Sequence, residues 1–129
     1  MKKTDRDAPL TPLELEVMNV LWETGPTTVQ GVHCRLQEVR PLAFNTVQTV
    51  LSILFRKGKV RRTLRDRAYV YRPVVTREAA AGNALRDLVD RVFGSRPEEL
   101  VLHMIRSRQL SARRLAELQR LVEEEGPDE

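Results

Sequence analysis

One cysteine, Cys34, and two histidines, His33 and His103, are all the thiol and imidazole metal ligands in 129 residues. A lone cysteine excludes an intramolecular disulfide framework and any multi-cysteine zinc site within one chain. No cofactor and no metal is therefore expected. Long apolar runs are also absent. The longest unbroken one is the four residues from Ala68 to Tyr71, against the roughly 20 that a membrane-spanning helix requires. Lys2 and Lys3 are not followed by the apolar stretch of a secretory signal, so the expectation is a cytoplasmic protein without a membrane partner. Catalytic signatures are missing as well. The six glycines form no phosphate-cradling loop and no nucleophile elbow. His33 and Cys34 are neighbours on a helix, where successive side chains point about 100° apart, so they cannot share a proton. An enzyme is not expected.

What the chain does have is unevenly placed charge. The net charge is +4, but residues 1–75 carry 13 Lys or Arg against 7 Asp or Glu, whereas residues 76–129 carry 9 against 11. Arg56, Lys57, Lys59, Arg61, Arg62, Arg65, Arg67 and Arg72 fall within seventeen residues that contain a single acid, Asp66. Such a stripe suits a polyanion, although a basic face kept for solubility has the same composition. The elements around it decide between the two.

Thr11, Pro12 and Glu14 form a helix-start signature of threonine cap, proline at the first helical position and glutamate closing a capping box. The first helix is expected to run to about Thr24. Leu13, Val17, Val20 and Leu21 make one apolar stripe and Leu15, Met18 and Trp22 a second, which predicts packing on two sides. Thr28 can cap a second helix from Val29 to about Val39, with Val32, Leu36 and Val39 inward and the Arg40–Pro41 pair ending it. A third helix is predicted from about Phe44 to Lys57, stopped by Gly58. Its inward face would hold Phe44, Val47, Val50, Leu51, Leu54 and Phe55. The remainder carries Asn45, Thr46, Gln48, Thr49, Ser52 and Arg56, with Ile53 among them. An exposed face of amides and hydroxyls is unusual, because these residues are poorer helix formers than Glu, Lys or Ala.

After Gly58 the period changes to 2. Val60–Leu64 and Ala68–Pro73 read as strands joined by Arg65, Asp66 and Arg67, a hairpin with a cationic tip. Three helices followed by a basic hairpin is the order of a winged helix. Amides and threonines on the third helix suit base edges, and arginines on the hairpin suit phosphates. The rest is helical: Thr76 opens a segment to about Phe93, Ser95 and Glu98 form a second capping box, and Ser111 opens the last helix. The stripes at Leu85, Leu88, Val89 and Val92 and at Leu115, Leu118, Leu121 and Val122 are too long for so short a segment to bury alone. They predict a second copy of the chain as partner. His103, flanked by apolar residues, reads as a core or interface histidine, and Cys34, opposite the inward face of its helix, as at least partly exposed.

The fold class expected is thus mainly α with a small β-hairpin, a DNA-binding domain over residues 1–75 and a helical dimerisation domain over 76–129. The competing reading is a DNA-free helical interaction or adaptor module.

Three segments, LELEVMNVLW from Leu13, NTVQTVLSILFRKG from Asn45 and RAYVYRPVVTREA from Arg67, together with LVLHMI from Leu100, resemble the penicillinase-repressor family of the BlaI/MecI type. The resemblance implies a homodimeric winged-helix repressor on a dyad-symmetric, double-stranded operator. By position it implies base reading by Asn45, Thr46, Gln48 and Thr49. Backbone contacts are expected from Arg56, Lys57, Arg62, Arg65 and Arg67, and dimerisation through Leu85, Leu88, Val89, Val92, Leu115, Leu118 and Leu121. Resistance-type members are cleaved at an Asn-Phe bond, where this chain has His103 and Met104, and copper-responsive members carry C-terminal cysteine pairs that this chain lacks. The inducer is not legible in the sequence.

Overall fold

A computed structural model describes residues 9–126, among which lie six helices and a three-stranded antiparallel sheet. The fold is mainly α with a small sheet, as expected. Helix α1 (Pro12–Thr24) starts at the predicted box: Thr11 Oγ1 accepts the Glu14 N–H at 3.2 Å, and the Glu14 carboxylate accepts the Thr11 N–H at 3.0 Å. Thr28 caps α2 (Val29–Leu36) by accepting the Gly31 N–H at 3.1 Å. Helix α3 (Phe44–Arg56) follows, then the hairpin and α4 (Arg77–Val92), α5 (Pro97–Arg106) and α6 (Ala112–Glu125).

One strand has no precursor in the sequence pattern. Thr27 and Thr28 form β1, which pairs with β3 (Ala68–Pro73), itself paired with β2 (Val60–Arg65), in the order β1-β3-β2. Two residues carry no period, so only the partner strand reveals them. Thr27 sits opposite Tyr71 and Thr28 opposite Val70, which ties the start of α2 to the hairpin. Gly31 is required here, because a Cβ would collide with Thr27 Oγ1.

The chain divides into two compact units, one up to Arg86 and one from Asp87. In the first, Val17, Met18 and Leu21 of α1, Val32 and Leu36 of α2, Val47, Leu51 and Leu54 of α3, and Val60 and Tyr71 of the sheet close one core. The second stripe of α1 is used in part: Met18 is fully buried and the Trp22 indole N–H donates to the Val75 carbonyl at 3.0 Å, while Leu15 stays exposed.

Three residues expected to face inward, Val39, Phe44 and Phe55, do not. Helix α2 stops at Leu36, three residues short of the predicted end, and Val39 is 82% exposed. Its N–H and that of Arg40 both turn back to the Leu36 carbonyl, since a residue before proline disfavours the helical region. Phe44 and Phe55 share the period of the inner face of α3 but lie at its two ends, beyond the reach of the core, and both are exposed.

The second unit is built differently. Helices α5 and α6 bury no residue, and in α4, of which only the residues from Asp87 on belong to this unit, Val89 alone is buried. Ser111 caps α6 by accepting the Arg114 N–H at 2.9 Å, but the Ser95–Glu98 box does not form. Ser95 has φ 62, its N–H bonds the Val89 carbonyl, and Arg96 takes the cap position without a side-chain bond. The turn that ends α4 thus claims the residue meant to start α5. His103 is exposed in the single chain, its ring 5.9 Å from that of Phe93.

Candidate nucleic-acid interface

The turn between α2 and α3 is fixed by side chains, which gives α3 a defined direction. The Gln37 amide nitrogen donates to the Leu42 carbonyl at 2.8 Å and lies 2.8 Å from His33 Nε2. Arg40 pairs with Glu16 of α1 at 2.7 Å, and Arg35 pairs with Glu23. With Val47, Val50, Leu51 and Leu54 buried, Asn45, Gln48, Thr49 and Arg56 are left exposed on the other side of α3, and Thr46 and Ile53 are half-buried at its margins. At the C-terminal end Gly58, with φ 77, lets the Lys59 N–H reach the Leu54 carbonyl at 2.9 Å and sends the chain into β2. The left-handed conformation there favours glycine.

The hairpin turn is tighter than the sequence pattern indicates. Arg65 belongs to β2 and pairs with Ala68, so the loop is only Asp66 and Arg67, with φ 48 and 69. Two central residues of positive φ make the type I′ geometry that matches strand twist. Asp tolerates this region, whereas an arginine at the second position is uncommon. Arg67 is thereby held at the tip, on the wall of a cleft of about 380 Å³ that it shares with Gln30 of α2, Phe44 and Gln48 of α3, and Tyr69 of β3. An amide on the exposed face of α3 and a cation of the hairpin thus line one concavity.

Seven of the eight cations of the stripe fall into two groups. Among the described residues Arg56, Arg61, Arg65, Arg67 and Arg72 form no salt bridge. Lys57 instead directs its ammonium to Glu14 Oε2 at 2.9 Å, and that carboxylate is only 5% exposed by residue. Burial pushes the Glu14 carboxyl up, but the Lys57 ammonium and the Thr11 backbone and hydroxyl donors more than reverse this and hold it below the ordinary carboxylate value. Arg62 lies between two rings, its guanidinium carbon 4.0 Å from the centroid of Phe55 and 4.1 Å from that of Tyr69. Sequence spacing places Lys57 and Arg62 in the cationic stripe but carries no signal for these partners. The Glu14 and Phe55 contacts depend on how α1, α3 and the hairpin assemble.

Of the residues expected to dimerise the chain, Leu85, Leu88, Val92 and Leu121 are exposed, Leu115 and Leu118 are half-buried and Val89 is buried. Cys34 is exposed. Among the described residues no group of three or more His, Cys, Asp or Glu could hold a metal ion and no helix is long and apolar enough to cross a membrane.

The model of the penicillinase repressor family matches residues 10–124. The transcriptional regulator BlaI of Mycobacterium tuberculosis is 40% identical over 95 residues, covering 71% of this chain and 69% of that protein. The penicillinase repressor of Bacillus licheniformis is 26% identical over 115 residues, covering 89% of this chain and 90% of that one. The solution structure of the Bacillus licheniformis BlaI monomeric form in complex with the blaP half-operator matches with a TM-score of 0.50 at 29% identity, over 61% of this chain and 93% of that chain.

Proposed function

The chain belongs to the penicillinase repressor family, and from that premise we propose that it is a DNA-binding transcriptional repressor that acts as a homodimer on a dyad-symmetric operator. It is not an enzyme, since the family is one of transcriptional repressors. The observation that carries the reading is the cleft where Gln48 of α3 and Arg67 of the hairpin line one surface. Asn45, Thr46, Gln48 and Thr49 enter the major groove, where amides pair bidentately with adenine and threonine methyls meet thymine methyls. Arg56, Arg65 and Arg67, which have no carboxylate partner among the described residues, hold phosphates and set orientation. The uncommon backbone at Arg67 supports this role, because such conformations persist where a side chain has a task.

The dimer reading is supported by the exposed apolar residues of α4 and α6, Leu85, Leu88, Val92 and Leu121. A two-fold pair would set its reading helices about 34–36 Å apart, one turn of DNA, or a multiple of that. Repression is then occupancy of the operator in the bacterial cytoplasm, and loss of the dimer suffices for release, because either half-site contact alone is weak. The test is a titration against duplexes selected from random sequence. Gln48→Ala or Thr49→Ala should cost about 1–3 kcal/mol on the selected duplex and little on random DNA, while Arg65→Ala or Arg67→Ala should weaken both and flatten the salt dependence. Equal losses on both DNAs for all four variants would remove α3 as the reader, and absence of any salt-dependent binding would favour a DNA-free adaptor.

A further inference from the structure

The hairpin outgrows the core that anchors it. Val60 and Tyr71 at its base are buried, but farther along the same face Leu64 is 63% and Tyr69 41% exposed. Two strands without a covering layer hold little shape by themselves. Between Tyr69 and the exposed end of α3 stands one side chain, Arg62. Its guanidinium is stacked by Phe55 on one side and Tyr69 on the other, at 4.0 and 4.1 Å, and its Nη1 lies 3.5 Å from the Tyr71 hydroxyl. Phe55 belongs to α3, Arg62 to β2 and Tyr69 to β3, so this stack joins the reading helix to both strands of the hairpin.

We propose that Arg62 is a positioning residue: it pins the hairpin to the C-terminal end of α3 through the Phe55–Arg62–Tyr69 stack, and so fixes where Arg65 and Arg67 meet the DNA backbone relative to the bases under Gln48 and Thr49. A planar guanidinium can present both faces to aromatic rings and an ammonium cannot, so lysine is no substitute. The charge of Arg62 serves the stack, which separates it from the phosphate-holding arginines although all belong to one cationic stripe. It also gives Phe55, exposed at the end of α3, a partner. The proposal rests on the reading that α3 and the hairpin dock together on duplex DNA.

A phosphate contact and a pin differ in salt dependence. Each phosphate contact contributes roughly 0.9 to the slope of log affinity against log salt, whereas a pin contributes nothing to it. On the duplex selected from random sequence, Arg62→Gln, Arg62→Lys and Phe55→Leu should each weaken binding about tenfold with the wild-type slope. The double variant Arg62→Gln/Phe55→Leu should lose no more than either alone. A slope lowered by about one in Arg62→Gln, with Phe55→Leu binding as wild type, would overturn the pin and make Arg62 a phosphate contact. A readout on the DNA-free protein decides the matter separately from the repressor reading: ring currents should shift the Arg62 side-chain protons upfield, and Phe55→Leu should abolish most of that shift. Unshifted Arg62 protons in the wild type would refute the stack even if operator binding is confirmed. Conversely, shifted protons in a protein that binds no duplex would leave the stack standing and remove its role on DNA.

Discussion

The two units of the chain use the same kind of amphipathic helix to opposite ends. Up to Arg86, α1, α2 and α3 turn their stripes toward one another and toward a small sheet, and Val17, Met18, Leu21, Val32, Leu51 and Leu54 leave solvent almost completely. From Asp87 on, α5 and α6 bury nothing, and Val92, Leu121 and Val122 are 63, 49 and 63% exposed. A stripe is a promise of burial, and the fold alone decides whether that promise is kept within one chain. The first unit has a third layer, the β1-β3-β2 sheet, against which helices can close. The second has only helices, too few to surround a core, so on the proposed reading its burial is completed by a second copy.

The largest expected effect breaks this contrast. Leu88→Asp combined with Leu118→Asp places charges in the proposed dimer face and should yield a monomer by sedimentation, with operator affinity reduced about 10²- to 10⁴-fold as the joint action of two half-sites is lost. The first unit should keep its fold, read by unchanged tryptophan fluorescence from Trp22. A dimer that survives both substitutions would move the partner surface elsewhere.

Core truncation sharpens the contrast by a smaller amount. Leu51→Ala, in a fully buried site of α3, should cost about 2–5 kcal/mol in denaturant unfolding at any protein concentration. Leu121→Ala, half exposed in the single chain, should cost little in dilute protein and more as concentration rises. Equal and concentration-independent losses would mean that the second unit closes its own core.

The part-buried Lys57–Glu14 ion pair lies in the first unit. Glu14→Gln should destabilise it by about 2 kcal/mol, between the values for exposed and fully buried pairs, because the Lys57 side chain keeps 29% of its exposure. The folded-state pKa of Glu14 lies below its ordinary value of 4.5. The contribution is therefore complete above that value and is lost as pH falls through the lowered one. Thermal unfolding of wild type and Glu14→Gln from pH 7 downward should converge in acid, and a constant gap would show that the carboxylate charge is not what stabilises.

Smallest is the close approach of α2 to β1. Gly31→Ala forces Thr27 aside and should cost about 1 kcal/mol or somewhat more. An unchanged unfolding midpoint would mean that the strand pair Thr27–Tyr71 yields freely.

Much of this architecture is legible from residue order. The Thr11, Pro12 and Glu14 cap is local, so its geometry follows from three residues, and the inner face of α3 follows from period. The polar face of α3 is legible for the same reason, together with its unusual amides. What escapes is set by a competing turn next in the chain or by tertiary contact. Val39 keeps the helical period, but Arg40 before Pro41 has already ended the helix. Ser95 has the sequence of a cap and is taken by the turn after α4. Lys57 and Arg62 sit in the cationic stripe, yet their partners Glu14 and Phe55 lie on other elements, which no spacing rule connects.

On the proposed reading one unit reads DNA and the other brings two such readers together. Selection of bound fragments from genomic DNA with the full chain, followed by footprinting, tests both halves together. A dyad-symmetric consensus is expected, with half-sites centred about 10 base pairs apart or a multiple of that and protected at one dimer per site. A single asymmetric site occupied by one chain, or fragments enriched for no sequence at all, would contradict it.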